Sequence, residues 1–361
     1  MKTGIIGAGP SGLMCAYALS KRGIQANVFE EHNTIGRPIQ CTGIVTKELY
    51  KLLMPEKGVV LNHLKNAIIH SKNRKLKINT DDIVIDREKF DTQLARMAES
   101  EGVKIHLNEK VKKVSPGNKG FLVKTNKESY IINSVVGANG PESSITKSLN
   151  PRLNMRYLTG VQARIRGNFD DDTFHVYLGD EFPGFFGWIV PEDKTTARVG
   201  MAAEKNVARH FKEFKRRLKI NDNQIIEKQG GLIPMYNPKI KTQKGNIYLV
   251  GDAALQVKAT TGGGVVPGLK AAKVLAESIQ RGKNYEKAWR KEVGMELWAH
   301  GKIRKMLDEF VDKDYDKLLE IMSGHRNKKL ISKTNRDNLM GTGIRLFLEN
   351  PTLVRFLPKI M

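Results

Sequence analysis

The sequence predicts a mixed α/β fold: a Rossmann-like dinucleotide-binding domain, an antiparallel-sheet substrate domain interleaved with it, and a helical C-terminal segment. The first thirty residues read as strand, glycine-rich turn, helix and strand. Residues 157–203 alternate apolar and polar side chains without a long helical pattern. A second glycine-rich turn follows an apolar run at residues 246–264. The predicted boundaries are 1–150 and 245–283 for the dinucleotide-binding domain, 151–244 for the substrate domain and 284–361 for the helical segment.

The first glycine-rich turn, Gly-Ala-Gly-Pro-Ser-Gly at residues 7–12, lies between an apolar run and an amphipathic helical pattern. Gly7 permits the tight turn, Gly9 lets a pyrophosphate approach the backbone, and Gly12 lets the helix pack on the sheet. The phosphates then lie at the helix N-terminus, where N–H groups and the helix dipole favour negative charge. Glu30 ends the second strand, where its carboxylate can accept hydrogen bonds from a ribose. This arrangement predicts a dinucleotide site.

The composition is that of an ordinary folded protein, but the charge is not. The chain has 361 residues, of which 40% are hydrophobic and 27% charged. Its formal net charge of +23 would attract an anionic membrane surface, a phosphorylated substrate or nucleic acid. The alternative is a lysine-rich solvated surface, because the basic residues are interspersed with acidic ones.

Cysteine usage and hydropathy predict the compartment. Cys15 and Cys41 are the only cysteines, which excludes a disulfide scaffold and favours a reducing environment. No apolar run approaches the roughly 18 residues of a membrane-spanning helix, and no signal peptide precedes the first strand. We expect a cytoplasmic protein whose contact with a membrane is peripheral.

The remaining elements follow in chain order. A loop at residues 31–43 leaves the strand that carries Glu30, so it crosses the cofactor edge of the sheet. Residues 46–53 read as a short helix, 58–85 as several short strands, and 86–100 as a longer helix with apolar residues at helical spacing. The strands predicted for the antiparallel sheet are 161–165, 174–178, 185–191 and 197–202.

The second glycine-rich turn changes the expected cofactor. Gly251 and Asp252 end a buried strand, and Gly262, Gly263 and Gly264 begin the next helix. They offer a second set of backbone N–H groups, which NAD alone would not need. A larger cofactor with a ring system to hold would need them, and this favours FAD.

Together these motifs resemble those of a known FAD-binding fold and, within that fold, those of one enzyme family. Arg87 at a helix start and the turn at 137–140 complete a set that resembles the FAD-binding fold of the para-hydroxybenzoate hydroxylase type. Residues 36–43 are similar to the Pro-x-x-Cys-x-Gly loop of the geranylgeranyl reductase family. Residues 186–202 resemble its Tyr-x-Trp-x-Phe-Pro…Gly-x-Gly substrate motif, and 251–265 its flavin-capping motif. Archaeal members of this family saturate the chains of a geranylgeranylated glycerophospholipid.

The resemblance implies a role for each matching position, with Cys41 facing the substrate as a catalytic residue. The implied FAD-binding residues are Gly7, Gly9, Gly12, Glu30, Thr42, Gly43, Arg87, Val111, Asp252, Gly263, Gly264 and Val265. The implied substrate pocket consists of Phe185, Phe186, Trp188, Val190 and Pro191. The positions that depart from the family's pattern are Asn139, Phe186, Val190 and Ala202.

Several of these residues also have a plainer interpretation. Arg87 suits the surface of a helix start, and Asp252 suits an N-cap. A free cysteine such as Cys41 is usually a small buried hydrophobe. Trp188 and its aromatic neighbours are equally typical of a sheet core. His175 and His300 lack partner spacing, so no metal site is predicted.

The leading hypothesis is an FAD-dependent reductase of C=C bonds in isoprenoid lipid chains. A flavin monooxygenase acting as a hydroxylase is the first alternative on the same fold. A halogenase is less favoured, because residues 186–191 lack the first Trp of its Trp-x-Trp-x-Ile-Pro motif. A basic flavoprotein that binds nucleic acid is a third alternative, but no stripe of aromatic and basic residues supports it.

The sequence leaves the partners open. There is no second glycine fingerprint for NAD(P)H, so the electron donor is either NAD(P)H bound transiently or a protein. The basic surface and residues 345–361, rich in Leu and Phe, could rest on an anionic membrane. The alternative is that this segment packs on its own domain. Nothing in the sequence indicates the oligomeric state.

Overall fold

The computed structural model describes residues 1–324 and 327. Strands lie at the apolar runs predicted for the N-terminal unit, and helices follow the two glycine-rich turns. In chain order the strands are β1 (Lys2–Ile6), β2 (Gln25–Phe29), β3 (Ile44–Thr46), β4 (Val60–His70), β5 (Lys75–Ile85), β6 (Lys104–His106), β7 (Val111–Gly117), β8 (Gly120–Thr125), β9 (Ser129–Ile132), β10 (Ser134–Gly137), β11 (Tyr157–Arg166), β12 (Thr173–Tyr177), β13 (Gly187–Pro191), β14 (Thr196–Ala203), β15 (Ile225–Pro234), β16 (Gln243–Lys244) and β17 (Ile247–Leu249). The helices are α1 (Pro10–Ser20), α2 (Arg87–Ser100), α3 (Ser144–Leu149), α4 (Val207–Arg217), α5 (Val265–Gln280), α6 (Tyr285–Trp289), α7 (Met295–Asp308) and α8 (Asp312–Met322).

The first sheet has the strand order β16-β17-β10-β1-β2-β6. Its strands run parallel from β17 to β6, and only the short edge strand β16 is antiparallel. Both faces are covered, as a parallel sheet requires. Helices α1, α2 and α5 pack on one face through Leu13, Phe90 and Leu269. The small sheet β7-β8-β9 and α3 cover the other through Val123 and Ile145.

The second sheet has the order β15-β11-β14-β13-β12-β4-β5-β3. Neighbouring strands are antiparallel except β12 and β4, which pair in parallel, so the sheet is mixed rather than purely antiparallel. The short strands expected at 58–85 form one long hairpin, with β4 and β5 of 11 residues each. Because β3, β4 and β5 belong to this sheet, we propose that residues 44–85 are part of the substrate domain.

The two faces of the second sheet differ in what covers them. Strand β12 alternates Phe174 and Val176 with His175 and Tyr177, so successive side chains point to opposite faces. Phe174 and Val176 pack with Trp188 on the face turned toward the first sheet's cofactor edge. On the opposite face Tyr177 packs against helix α4. The inner face is therefore apolar, and a cavity lies against it among the described residues.

The C-terminal helices brace the second sheet. Helix α8 is fixed to the turn between β4 and β5, where Ser71 donates a hydrogen bond to Asp316 at 2.5 Å and Lys72 pairs with Asp312 at 2.8 Å. The predicted helical C-terminus is confirmed over residues 285–322. The predicted membrane-contacting segment at 345–361 lies outside the described residues. Within the described part of the chain, every helix is too short or too polar to cross a membrane.

Candidate active site

The turn between β1 and α1 opens the N-terminal end of the helix into a cavity. Gly7 has a φ of +105°, and a Cβ there would lie 2.5 Å from the carbonyl oxygen of Ala138. A Cβ on Gly12 would overlap the Gly7 carbonyl oxygen, so Gly12 permits close packing of the helix on the turn. Gly12 itself lines neither the cavity at the end of the first sheet nor the one against the second sheet. A Cβ on Gly9 would meet no atom within 4 Å. Gly9 is the N-cap residue of α1 and carries no capping side chain, and Pro10 at the first helical position has no N–H, so the free N–H groups of the first turn begin at Ser11.

Glu30 lies at the tip of β2, directly beside this helix end. Its Oε2 accepts a hydrogen bond from the Ala8 N–H at 2.8 Å, and its Oε1 accepts one from the His32 N–H at 3.0 Å. The Glu30 side chain is 12% exposed, and what is exposed faces the cavity. The carboxylate is therefore held in place by two backbone groups, with acceptor capacity left for a ligand.

The cavity at the end of the first sheet, called the cofactor cavity here, has a volume of about 330 Å³. It extends from the turn after β1, past the tip of β2, to the start of α5. The sequence-predicted residues that line it are Gly7, Gly9, Glu30, Cys41, Arg87, Val111, Asp252, Gly264 and Val265. Segments separated by more than 200 positions in the chain therefore meet around one elongated space.

Arg87 is a largely buried member of this lining rather than a surface residue, with its side chain 15% exposed. Its guanidinium donates two hydrogen bonds to Asp91, at 3.1 and 2.9 Å, and also contacts the Cys41 thiol. Burial opposes the charged form, but Asp91 outweighs it, so the pKa of Arg87 is raised. The site therefore contains a permanent positive charge.

The two C-terminal glycine motifs come together as one structure. Asp252 follows β17, and Gly264 is the N-cap residue of α5. A Cβ on Gly264 would lie 2.8 Å from the Asp252 Oδ1, so a larger residue there would have to displace this carboxyl group. Burial raises the pKa of Asp252 to about 6, with Arg87 opposing the shift. Asp252 is thus a cavity-lining acid and not only a cap.

A second cavity, called the apolar cavity here, lies between the inner face of the second sheet and the start of α5, with a volume of about 340 Å³. Phe185 and Phe186 stack with ring centroids 4.1 Å apart, and Phe186 meets Trp188 edge to face. Val190 also lines it, whereas Pro191 lies beyond it at the end of β13. The flavin-side residues predicted from the sequence that line it are Thr42, Gly43, Gly263, Gly264 and Val265.

The two cavities share a wall. The residues that line both are Gln40, Cys41, Ile233, Gly262, Gly264 and Val265. Cys41 lies near the C-terminal end of the predicted loop, and its Sγ accepts a hydrogen bond from the Gly43 N–H at 3.3 Å. A ligand that extends along the cofactor cavity therefore reaches the edge of the apolar one.

The structure also places residues that sequence reasoning missed. Gln162 on β11 contacts the loop that carries Cys41, and Lys258 lines the apolar cavity although it is buried. Arg198 on β14 donates a hydrogen bond to the Thr42 carbonyl at 2.5 Å. For Gln162 and Arg198 the indication in the sequence was a polar residue between two apolar neighbours of a strand. Such a residue must find partners inside the protein.

The cofactor cavity fits FAD. Unpaired helix N–H groups at α1 suit a pyrophosphate, and the Glu30 carboxylate at the β2 tip suits a ribose. The uncapped start of α5 at the far end offers N–H groups to a ring system. A cofactor that ends in a ring held there would lie against the shared wall, next to the apolar cavity.

Comparison with known proteins identifies the class. The family model described as "Pyridine nucleotide-disulphide oxidoreductase" matches residues 5–144. The fold is shared with a geranylgeranyl bacteriochlorophyll reductase-like protein from Thermoplasma acidophilum, with a TM-score of 0.84, 22% identity and coverage of 100% of this chain and 99% of that one. A flavin-dependent brominase is more distant, with a TM-score of 0.68, 17% identity and coverage of 96% and 99%. The protein is an FAD-dependent oxidoreductase.

A relative at higher identity identifies the family. The chain is 30% identical over 359 residues to the digeranylgeranylglycerophospholipid reductase of Methanocaldococcus jannaschii, covering 88% of this chain and 89% of that one. It is also 28% identical over 356 residues to digeranylgeranylglycerophospholipid reductase 1 of Methanococcoides burtonii, covering 87% and 85%. The chain belongs to the geranylgeranyl reductase family.

Proposed function

We propose that this enzyme saturates C=C bonds in the geranylgeranyl chains of membrane-lipid precursors. The observation that carries the proposal is the apolar cavity that shares a wall with the cofactor cavity. Its inner face is built from aromatic and aliphatic side chains, which suit a hydrocarbon chain and not a polar substrate. The names of the relatives agree with a substrate of this class.

The chain's own residues hold the cofactor at this wall. The N–H groups after Gly9 would bind the pyrophosphate, Glu30 the ribose, and Asp252 the ribityl chain. Thr42 and Val265 would flank the ring. When bound, FAD supplies hydride chemistry toward an alkene carbon. The apolar cavity excludes water and holds the alkene beside the wall, which removes the cost of bringing the two reactants together.

Cys41 is the residue that we propose as proton donor. Saturation of an alkene requires a hydride on one carbon and a proton on the other, and Cys41 is the thiol on the shared wall. The proton would be held at Sγ, and the Arg87 guanidinium lies against this thiol. By contrast, Cys15 is fully buried in α1, where burial raises its pKa to about 12, so it has no access to substrate.

We also propose that helix α7 contributes to contact with a membrane surface. Met295 and Trp298, 59% and 45% exposed, lie about one turn apart on α7. The Lys302 ammonium lies 5.7 Å from the centroid of the Trp298 ring. Aromatic and basic side chains of this kind suit the headgroup region of a bilayer. Co-sedimentation with anionic vesicles should decrease in Trp298→Ala and remain in Trp188→Phe, which alters a buried indole.

The proposed reaction is tested by the mass of the product. The dithionite-reduced enzyme is incubated under argon with a digeranylgeranylglycerophospholipid, and the extracted lipid is analysed by mass spectrometry. We expect the lipid to gain pairs of hydrogen atoms without oxygen. A product that appears only when oxygen is admitted and that carries a hydroxyl group would overturn the proposal in favour of the monooxygenase. A halogenated product formed with halide and oxygen would favour the halogenase.

A further inference from the structure

Gln162 lies in the wall of the apolar cavity, where it connects the loop carrying Cys41 to the substrate sheet. The residue is 5% exposed, and its amide offers two acceptor sites and two N–H donors. Oε1 accepts hydrogen bonds from Thr42 Oγ1 at 3.1 Å and Trp188 Nε1 at 3.2 Å. Nε2 donates to the Cys41 carbonyl at 3.2 Å and to Gln229 Oε1 at 2.6 Å. All four hydrogen-bonding positions of the amide are used.

The partners determine the orientation of this amide. The indole N–H of Trp188 can only donate, and the carbonyl of Cys41 can only accept. A rotation of the amide by 180° would place N–H against N–H and oxygen against oxygen at these two contacts. A buried amide with every partner satisfied is costly to disturb, because each lost bond leaves a desolvated group unpaired. The contact between loop and sheet is therefore rigid.

The register of the second sheet creates this contact. Gln229, Gln162, Gly200 and Trp188 lie opposite one another on four consecutive strands, β15, β11, β14 and β13. A Cβ on Gly200 would lie 2.5 Å from the Gln162 Cβ and 2.6 Å from the Trp188 Cζ2. The missing side chain at Gly200 thus gives the Gln162 amide room to reach the indole across an intervening strand.

The same row of residues also holds the other end of the loop. Gln229 Nε2 donates to Glu227 Oε2 at 3.0 Å. Glu227 Oε1 accepts from the Arg37 guanidinium at 3.1 Å, and Arg37 also donates to Glu88 at 2.7 Å. The loop at 36–43 is consequently fixed to the substrate sheet near both of its ends. Gln162 hydrogen-bonds to both Cys41 and Thr42, whereas Arg198 bonds to Thr42 and Arg87 to Cys41.

We propose that Gln162 is a positioning residue of the reductase: it holds Cys41 and Thr42 at a set distance from Trp188, and so aligns the cofactor wall with the substrate chain. This inference rests on the proposed function, because the alignment matters only if a substrate reacts in the apolar cavity. Gln162 directs its hydrogen bonds to Cys41, Thr42, Trp188 and Gln229. Its effect on turnover passes through the loop, and a misplacement of reacting groups by about 1 Å can cost about 100-fold in rate.

The test is Gln162→Glu, which replaces the Nε2 donor with an oxygen that faces two acceptor oxygens. At high pH the buried carboxylate repels them and the loop shifts, so we expect turnover with a digeranylgeranylglycerophospholipid to fall by about 100-fold at unchanged FAD content. At low pH the protonated acid regains one O–H donor. Turnover relative to the native enzyme should therefore recover as the pH falls. Gln162→Met, which keeps the volume but not the hydrogen bonds, should lose turnover equally at every pH.

Gln93→Glu is the matched control. Gln93 is 4% exposed, donates to the Met54 carbonyl at 2.8 Å and accepts from the Glu56 N–H at 3.0 Å, but it lines neither cavity. We expect Gln93→Glu to lose stability without a pH-dependent loss of turnover. If Gln162→Glu loses no more turnover than Gln93→Glu, or if Gln162→Met turns over as the native enzyme does, the positioning role is wrong.

A spectroscopic readout separates this inference from the proposed function. The visible flavin spectrum reports the position of the Cys41 loop without any substrate. We expect this spectrum to shift with pH in Gln162→Glu and to stay constant in Gln93→Glu. If the native enzyme binds FAD but leaves the lipid unsaturated, the proposed function fails. The pH-dependent spectrum then still supports the contact between Gln162 and the loop, and a constant spectrum overturns it.

Discussion

The two cavities that meet at Cys41 are built from different parts of the polypeptide. The cofactor cavity is formed largely by backbone: the turn at 7–12, the tip of β2 and the start of α5 present N–H groups and close glycine contacts. The apolar cavity is formed largely by side chains that project from strands β4, β5, β11, β12, β13 and β15 of the second sheet. The contrast indicates that the shape of the cofactor cavity is encoded in short contiguous motifs, whereas the shape of the apolar cavity is encoded in sheet register.

This difference implies that the two functions can be separated by substitution. Added volume in the glycine-built cavity should remove the cofactor, and added volume in the side-chain cavity should remove the substrate while the cofactor stays. The shared wall should respond to changes in either region. The four predictions that follow test this separation in order of decreasing effect.

The largest effect is expected from Gly9→Val. The side chain would project into open space in the cofactor cavity, so the fold should survive, but it would occupy the space that we assign to the pyrophosphate. We expect FAD affinity to fall by about 1,000-fold, roughly 4 kcal/mol, measured by fluorescence titration of the apoprotein. Gly117→Val on the exposed strand β7 is the control, since a Cβ there meets nothing closer than 3.8 Å. If Gly9→Val binds FAD as tightly as the native protein does, the space beside Gly9 does not hold the pyrophosphate.

Glu192→Gln should destabilise the contact through which Arg198 on the second sheet holds Thr42 next to the shared wall. Glu192 is 4% exposed and accepts hydrogen bonds from Arg198 at 2.7 Å and Arg164 at 2.6 Å. Removing its charge leaves the Arg198 guanidinium buried without a counterion, at a cost of about 3 kcal/mol of unfolding free energy. Urea denaturation measures this loss. Glu213→Gln breaks an exposed pair with Arg209 and should cost less than about 0.5 kcal/mol; equal losses in the two variants would contradict the account.

Val176→Phe tests the apolar cavity alone. Val176 lines that cavity from β12, so a larger ring there takes space from the substrate chain. Overpacking of this kind costs about 2 kcal/mol, which corresponds to a rise of about 30-fold in the KM for the lipid. FAD affinity should remain native, as measured on the same preparation. The control Leu122→Phe enlarges an exposed side chain on β8, remote from both cavities. A loss of FAD from Val176→Phe would show that the cavities are not separable.

The smallest effect is a pH dependence carried by Asp252. Burial raises its pKa from 3.8 to about 6, partly opposed by Arg87. The raised pKa means that Asp252 contributes stability below pH 4, and that this contribution is lost as the pH rises through about 6. The apoprotein should therefore lose Tm between pH 4 and 7 relative to Asp252→Asn, as measured by scanning fluorimetry. Asp81→Asn removes an exposed carboxylate and is the control. If the Tm of the native protein and that of Asp252→Asn change with pH in the same way, the pKa of Asp252 is not raised.

The cofactor end of the fold could be predicted closely, because its determinants are local. Gly7, Gly12 and Glu30 occupy fixed distances along one strand–turn–helix–strand unit, and each has a separate physical reason to be there. The meeting of Asp252 with the N-terminal unit was predicted from a second glycine turn, not from contacts. The class, the cofactor and the family that these motifs indicated are confirmed by the fold and the relatives.

The substrate end could be predicted only in part, because its determinants are not local. The pairing of β12 with β4 joins residues about a hundred positions apart, and nothing in either segment specifies the other. The row that brings Gln162 beside Trp188 depends on the register of three strand pairs. A polar residue in an apolar strand signals that partners exist, but it does not say which ones. The roles of the individual site residues stay predictions until they are tested.

The most direct test of the central claim follows the flavin instead of the product. The enzyme is loaded with FAD, reduced under argon until its visible absorbance is bleached, and mixed with a digeranylgeranylglycerophospholipid. If the two cavities bring a reduced flavin against an isoprenoid chain, the yellow absorbance returns without oxygen, and it returns more slowly in Val176→Phe. If the flavin stays bleached until oxygen is admitted, the shared wall does not connect cofactor and lipid, and the account is contradicted.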